Sequence, residues 1–200
     1  SQVRSQSAYL QSTELIKVTP EIRRVTTDIV VDESTLRGVV DSVAEWTSTN
    51  IEYNLSTTNA EASLPSDQVL RQRNGVCDEI TNLFIAQLRS LGIPARYVSG
   101  VAYTESDLFN DRWGAHGWAE VYFPDHGLVP YDPTYTQFGY VDATHIAFNK
   151  GVGAEKYGSS YQWRAQGVDV SYDRSWTAGL NDYENRARPT ISADVDRAAE

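Results

Sequence analysis

The chain has 200 residues, of which 40% are apolar and 22% are charged, so it can bury the core of one globular domain. Its formal charge of −10 disfavours binding to nucleic acid, because the phosphate backbone is also negative. No apolar run approaches the roughly 20 residues that a membrane-spanning helix needs. We therefore expect a domain that binds no nucleic acid and contains no membrane-spanning segment.

The two ends of the sequence differ in composition from its middle. Residues 1–18 are rich in serine and glutamine, and residues 181–200 are polar and poor in apolar side chains. We predict an N-terminal extension over 1–18, a core domain over 19–180 and a loosely held tail over 181–200. The sequence has no methionine even at position 1, so we also expect a soluble domain excised from a larger or exported protein. A single cysteine leaves the compartment open, and the oligomeric state is not readable from the sequence.

The first half of the predicted core carries helical patterns. Thr19 is a predicted N-cap with Pro20 in the first helical position, which predicts a short helix. A second helix is predicted over 32–50, where these apolar residues recur at spacings of three and four: Leu36, Val39, Val40, Val43 and Trp46. A short amphipathic segment opens at Pro65 and is predicted to end at Gly75, in the left-handed conformation that glycine tolerates.

The only cysteine, Cys77, stands at the start of a further predicted helix. Apolar residues repeat with helical spacing from Asp78 onward, and Gly92 followed by Pro94 ends the pattern. The segments after it, "ARYVSGVAY", "HGWAEVYF" and "GLVPYDPT", are short and rich in aromatic and β-branched residues, which predicts antiparallel strands. One or two more strands are predicted over 161–173. Helices followed by strands predict an α+β fold.

Two interpretations of Cys77 follow from its own segment. Backbone N–H groups and the dipole at a helix N-terminus stabilise a thiolate, which is the nucleophilic form of cysteine. Cys77 also shares a helix face with Ile80 and Phe84, so an inert residue in the core fits the pattern too.

Catalysis by a cysteine generally requires a histidine within hydrogen-bond reach, itself oriented by a third group. The chain has three histidines, of which His126 lies in the turn sequence "PDHG" and is expected to be exposed. His145 lies outside any predicted strand, and we expect a surface or half-buried structural role for it. His116 begins a predicted strand and shares a face with Trp118, although a core histidine bonded to a backbone carbonyl has the same pattern.

Asp132 ends the strand that follows His116. A short hairpin brings it alongside His116 on the neighbouring strand, where a carboxylate fixes the tautomer of an imidazole. Alternatively, Asp132 caps the turn that Pro133 and Thr134 begin.

The ordered set of these segments resembles one known family. It consists of "NGVCDEITNLFIAQLRSLGIPARYVSGVAY", "HGWAEVYF" and "GLVPYDPT", and it is similar to the core of the transglutaminase-like superfamily, which includes cysteine proteases and peptide N-glycanases. The resemblance is close over residues 70–148 and looser for the helices before it. It implies a papain-like fold in which the cysteine helix packs against an antiparallel sheet.

The resemblance also implies a reaction and its residues. Cys77 corresponds to the nucleophile, His116 to its general base and ion-pair partner, and Asp132 to the residue that orients His116. The implied reaction is acyl transfer or hydrolysis at amide bonds of a protein or peptide substrate, through a thioester. Tyr53 is a candidate second oxyanion donor beside the backbone N–H of Cys77, although a packed tyrosine is equally compatible, and Trp118 is expected to shield or line the cleft.

No cofactor is implied, and the sequence shows no acidic loop with calcium-ligand spacing, so we expect no metal. Two other functions are compatible with parts of the pattern. One is a metal site, with the candidate ligands Cys77, His116, Asp132 and His145, although no close ligand pair with metal-site spacing occurs. The other is a non-catalytic protein-interaction module that retains the fold within a larger protein, and the intact set of three residues counts against it.

Overall fold

The computed structural model describes residues 6–55, 63–104 and 112–154, together with the backbone of Ser175–Thr177 and Thr190–Ser192. The strands expected over 161–173 and most of the expected C-terminal tail lie outside the described residues. The proposed domain boundaries stay predictions. In the part of the chain that is described, no helix combines the length and the apolar character needed to cross a membrane.

Helices dominate the first half of the described chain, as the apolar spacing predicts. After a 3₁₀ turn at Ser7–Leu10, the α-helices are α1 (Pro20–Ile29), α2 (Leu36–Asn50), α3 (Ser66–Gln72) and α4 (Cys77–Ser90). Thr19 caps α1 as predicted, because its Oγ1 accepts a hydrogen bond of 3.2 Å from the backbone N–H of Ile22. Thr35 caps α2 in the same way, through the N–H of Gly38 at 3.0 Å.

The structure corrects the prediction that Gly75 ends α3. Arg73, not Gly75, takes the left-handed conformation there, with φ of 59°, and its guanidinium lies 4.7 Å from the centre of the Trp46 ring. Gly75 is extended instead, and a Cβ added to it would come within 3.0 Å of the Cβ of Glu79. Gly75 is therefore needed for the close approach of the first turn of α4 rather than for ending a helix.

Strands dominate the second half, and the three strands predicted at 95–103, 116–123 and 127–134 are present there, whereas the strands at 52–53, 74–75 and 145–151 were not predicted. Nine strands are described in all. They are β1 (Glu52–Tyr53), β2 (Asn74–Gly75), β3 (Ala95–Tyr103), β4 (Trp113–Phe123), β5 (Gly127–Asp132), β6 (Gln137–Phe138), β7 (His145–Gly151), β8 (Ser175–Thr177) and β9 (Thr190–Ser192). Five of them form an antiparallel sheet with the order β6-β5-β4-β3-β7. β1 and β2 pair in parallel and place Tyr53 opposite Gly75, while β8 and β9 form a separate antiparallel pair.

The central helix of the core is α4, the helix that begins with the cysteine. It packs against α1, α2 and α3 on one side and against β3 and β4 on the other, so its residues from 79 to 90 are all buried. Phe84 of α4 contacts Tyr131 of β5, with ring centroids 6.0 Å apart. Ile16, which precedes α1, is fully buried in the same core. The predicted packing of the cysteine helix against an antiparallel sheet is confirmed.

Candidate active site

The start of α4 lies against one side of β4. In the described chain β5 pairs only with the C-terminal half of β4, and α4 contacts the half that β5 does not reach. There Thr81 Oγ1 donates a hydrogen bond of 2.9 Å to the carbonyl of Gly117, and Cys77 Sγ lies 4.0 Å from the carbonyl oxygen of Ala115. The sulfur is therefore held beside the backbone that flanks His116.

A buried carboxylate fixes this helix start. Glu79 accepts hydrogen bonds from the backbone N–H groups of Val76 at 3.0 Å and of Leu64 at 2.8 Å. The first of these is the reciprocal half of a capping box, in which the third helical residue reaches back to the N-cap. Glu79 thereby joins the segment before α3 to the residue before Cys77, a role that the sequence pattern did not indicate.

The surroundings of Cys77 favour the thiol over the thiolate. Burial raises the pKa of the Cys77 thiol to about 12, and the negative charge of Asp78 acts in the same direction. A hydrogen bond from the backbone of Gly117 favours the thiolate but does not outweigh them. The sulfur therefore keeps its proton until a base removes it, and the helix N-terminus alone does not supply a thiolate as its position had suggested.

His116 and Asp132 form a buried pair. His116 Nε2 lies 2.6 Å from Asp132 Oδ2, while Asp132 Oδ1 accepts hydrogen bonds from the backbone N–H groups of Thr134 at 2.8 Å and of Tyr135 at 3.2 Å. Asp132 thus makes both of the contacts considered for it, one to the imidazole and one to the turn. Burial alone would raise the pKa of Asp132, but hydrogen bonds from His116 and His145 lower it to about 2.

An ionised Asp132 determines how His116 is oriented. A carboxylate only accepts hydrogen bonds, so Nε2 of His116 carries the proton that faces Asp132. The nitrogen that remains to act as an acceptor is Nδ1.

His145 also lies in this site, which its sequence context did not indicate. It is the first residue of β7, its Nε2 lies 3.0 Å from the same Asp132 Oδ2, and its Nδ1 lies 3.2 Å from Asp142 Oδ1. Burial would lower the pKa of His145, but the hydrogen bonds to Asp132 and Asp142 outweigh it and raise the pKa. The D-x-x-H spacing of Asp142 and His145 was a local signal for one of these contacts, whereas the contact with Asp132 depends on the tertiary fold.

Four rings pack together around these hydrogen bonds, and we call them the ring cluster: His116, Trp118, Tyr135 and His145. Tyr135 meets the His116 ring edge-on with centroids 4.9 Å apart, and Trp118 stacks on His116 at 6.0 Å. Gly100 of β3 leaves room for the backbone of β7, because a Cβ there would lie 2.0 Å from the carbonyl oxygen of Ile146, and it would also come within 3.0 Å of the Trp118 ring. Trp118 is buried and contacts both imidazoles, and its role in shielding or lining a cleft stays a prediction.

Tyr53 lies beside the helix start through the pairing of β1 with β2, and 48% of its surface is exposed. Its partial burial raises the pKa of Tyr53 to about 12, with smaller contributions from the neighbouring acidic groups of Cys77, Tyr135 and Asp78. The Tyr53 hydroxyl is therefore within electrostatic range of the sulfur and keeps its proton at neutral pH.

The structure brings three of the four candidate metal ligands together. The nitrogen and oxygen ligand atoms of His116, Asp132 and His145 all lie within 4.8 Å of one another, and Cys77 does not belong to this group among the described residues. Hydrogen bonds already account for the arrangement, because both imidazoles are bonded to the carboxylate. His126 is exposed in the turn between β4 and β5, as its sequence predicts.

Sequence comparison assigns the chain to a family. A sequence model of the Transglutaminase-like superfamily matches residues 23–133, more than half of the chain. The chain belongs to the transglutaminase-like superfamily. An uncharacterised protein of Mycobacterium leprae is 30% identical over 149 residues, which are 73% of this chain and 50% of that protein. A protein-glutamine gamma-glutamyltransferase of Pseudomonas aeruginosa is 32% identical over 88 residues, which are 42% of this chain and 13% of the enzyme.

Solved structures show the same fold. A protein from Cytophaga hutchinsonii, described as a candidate cysteine protease, superimposes with a TM-score of 0.66 at 17% identity, over 98% of this chain and 57% of that chain. The periplasmic domain of TgpA from Pseudomonas aeruginosa superimposes with a TM-score of 0.51 at 21% identity, over 66% of this chain and 48% of that chain. These likenesses confirm the predicted α+β fold of a transglutaminase-like domain.

Membership of the superfamily supports cysteine-based acyl transfer or protease activity in general. The chain spans half or less of the length of the two curated relatives described above. The specific reaction, its substrate and its residues are therefore matters for the proposal that follows.

Proposed function

We propose that the chain is a cysteine acyltransferase or hydrolase that acts on amide bonds with Cys77, His116 and Asp132 as its catalytic triad. The observation that carries this proposal is the buried pair of His116 Nε2 and Asp132 Oδ2, 2.6 Å apart, in which His116 lies on β4, the strand against which the only cysteine is held, and Asp132 ends the adjacent strand β5. A histidine oriented by a carboxylate and placed next to a thiol is the arrangement that activates a nucleophilic cysteine.

The chemistry begins with a proton transfer. Nδ1 of His116 takes the proton of the Cys77 thiol as the sulfur attacks the amide carbon, which forms a C–S bond and a tetrahedral oxyanion. The C–N bond then breaks, and the leaving nitrogen takes the proton back from Nδ1. A thioester remains on Cys77, and attack by a second amine completes transamidation, whereas attack by water completes hydrolysis.

Asp132 stabilises the imidazolium that forms in both steps. Its carboxylate stays ionised at neutral pH, because its pKa is lowered to about 2. Because burial raises the pKa of the Cys77 thiol to about 12, His116 acts as a general base at the moment of attack. The expected role of His116 as the ion-pair partner of Cys77 stays a prediction.

The oxyanion requires hydrogen-bond donors. The backbone N–H of Cys77 is the first, because the N–H groups of the first helical turn have no intrahelical acceptor. The Tyr53 hydroxyl is the second, and the pKa of Tyr53 at about 12 keeps that hydroxyl a donor over the neutral range. Trp118 supports the site by holding the His116 ring.

The substrate class follows from a relative. The Pseudomonas aeruginosa relative is named for transferring the γ-glutamyl group of protein glutamine, so we propose a glutamine carboxamide in a protein or peptide as the acyl donor to be tested first. The net charge of −10 favours donors that carry basic residues nearby. The periplasmic domain among the structural neighbours supports an exported origin for this chain.

The test is direct, because the chain has one cysteine. A glutamine-containing peptide rich in lysine is incubated with the protein and a fluorescent primary amine, and ammonia release and amine incorporation are both measured. We expect ammonia release that is lost in Cys77→Ala and falls by at least about a thousandfold in His116→Ala. Amine incorporation in step with ammonia indicates transamidation, and ammonia without incorporation indicates hydrolysis.

A matched control is His126→Asn, a histidine in an exposed turn, which should leave the rate unchanged. Peptide cleavage is followed in the same samples by mass spectrometry. The proposal is wrong if Cys77→Ala retains the wild-type rate. A folded wild-type protein that neither releases ammonia nor cleaves a peptide library favours the non-catalytic interaction module instead.

A further inference from the structure

The carboxylate of Asp132 is shared between two histidines. Its Oδ2 atom lies 2.6 Å from Nε2 of His116 and 3.0 Å from Nε2 of His145. Its Oδ1 atom is occupied by the backbone N–H groups of the turn that follows β5. Asp132 is also fully buried, so its orientation depends on these contacts.

His145 is placed between two carboxylates. Its Nδ1 lies 3.2 Å from Oδ1 of Asp142, which precedes it by three residues, while its Nε2 faces Asp132. Only the protonated imidazole donates from both nitrogens, so two carboxylates facing the ring favour the charged form. The side chain of His145 has no exposed surface, whereas that of Asp142 is 46% exposed.

The other groups around His145 do not change this balance of charge. The rings of His116, Trp118 and Tyr135 surround it, and the hydroxyl of Thr144 lies 3.3 Å from its Nδ1. Its partner on β3 is Ala102, which is uncharged. On its own strand, Lys150 is bonded to Glu120. Asp132 and Asp142 are therefore the anions in direct contact with His145.

We propose that His145 is a positioning residue, which as an imidazolium holds Asp132 towards His116 and neutralises part of the carboxylate charge that His116 experiences. The catalytic consequence rests on the function proposed above, whereas the electrostatic effect on His116 does not. A partly neutralised Asp132 makes the protonated His116 a stronger acid. A stronger acid returns its proton more readily to the leaving nitrogen.

The size of the effect follows from the geometry. The centroids of the two imidazole rings are 5.5 Å apart. At that separation, removing one positive charge raises the pKa of the other imidazole by about 0.5 units at a dielectric constant of about 80 and by about 2 units at about 20. Substitution of His145 should therefore raise the titration midpoint of His116, and with it the acid limb of the activity profile, by about 0.5 to 2 pH units.

Nuclear magnetic resonance can measure this without substrate. The chain has three histidines, so the ring signals are assigned by comparison with single variants, and each midpoint is followed from pH 4 to pH 10. His145→Gln keeps an N–H donor without the charge, and Asp142→Asn removes the outer anion without touching Asp132. His126→Asn is the matched control and should leave the other two midpoints in place.

We expect the wild-type His145 midpoint to lie above the ordinary value of about 6.5. The His116 midpoint should rise by about 0.5 to 2 units in His145→Gln. In Asp142→Asn the His145 midpoint should fall, and His145→Asn, which likewise carries no charge, serves if His145→Gln does not fold. An unmoved His116 midpoint in a folded His145 variant overturns the proposal.

Failure of this inference is distinguishable from failure of the proposed function. An inactive wild-type protein refutes the function and leaves the midpoints measurable. An active wild-type protein in which the acid limb of kcat/KM against pH does not move in His145→Gln refutes the positioning role alone, because loss of a purely structural contact lowers the rate without shifting that limb.

Discussion

Replacing Asp132 by asparagine tests the electrostatics of the site through stability. Asparagine has the same shape and keeps one oxygen for the backbone N–H groups of Thr134 and Tyr135, but it carries no charge for the two imidazoles. Asp132 has its pKa lowered from 3.8 to about 2 in the folded protein, and its side chain is fully buried. By linkage, that difference corresponds to a stabilisation of about 2 kcal/mol at neutral pH.

The sign of the pH dependence follows from the direction of the shift. A carboxylate whose folded pKa is depressed stabilises the protein above its unfolded pKa, and the contribution is lost as the pH falls through the folded pKa. Asp132→Asn should therefore lower the free energy of unfolding by about 2 kcal/mol at pH 7, and the gap from the wild type should narrow by about 1 kcal/mol between pH 5 and pH 3. The same variant should lose activity by about a thousandfold or more, because the tautomer of His116 is no longer fixed.

Urea unfolding followed by tryptophan fluorescence provides the assay, since the chain has five tryptophans. Asp125→Asn, in the exposed turn after β4, is the matched control and should stay within about 0.5 kcal/mol of the wild type at every pH. The reasoning would be refuted if the free energies of unfolding of Asp132→Asn and the wild type differed by the same amount from pH 7 to pH 3. That result would mean that Asp132 is not an ionised partner of the imidazoles.

Two further substitutions test how the cysteine is held. Gly117→Ala places a Cβ 1.9 Å from the Tyr97 hydroxyl, so it should destabilise the protein by about 1–3 kcal/mol, and adding Tyr97→Phe should recover part of the loss in thermal unfolding. A Gly117→Ala variant as stable as the wild type would contradict this packing. Glu79→Gln leaves one of two backbone N–H groups without an acceptor, so the urea midpoint should fall by the equivalent of about 1–3 kcal/mol. An unchanged midpoint would show that Glu79 does not fix the helix start.

The sequence predicts the elements of this fold well where local patterns decide them. Thr19 and Pro20 mark the start of α1, and Gly92, with φ of 80°, ends α4 in the left-handed conformation that glycine favours. The prediction for the end of α3 was wrong. Arg73 takes the left-handed conformation there, and its guanidinium packs on the Trp46 ring. A tertiary contact there outweighs a local preference.

In the candidate site, too, the sequence predicts the contacts that local patterns decide and misses those that depend on the tertiary fold. His116 and Asp132 lie on adjacent antiparallel strands, so a hairpin read from the sequence is enough to expect their contact. His145 could not be placed, because β7 joins the sheet beside β3, on the far side of β4 from β5. The pairing of β7 with β3 also requires a glycine at position 100, where a Cβ would lie 2.0 Å from the carbonyl oxygen of Ile146, and no local pattern predicts that contact.

The docking of α4 on the half of β4 that β5 leaves unpaired has a consequence for self-association. An unpaired strand edge is a template for the addition of a strand from another molecule, and natural proteins often cover such edges with a helix. Here the covering turn is the one that carries Cys77. Fraying of that turn would expose an unpaired strand edge and an oxidisable sulfur together, so conditions that loosen it in the presence of dissolved oxygen should yield disulfide-linked dimers before the rest of the domain unfolds.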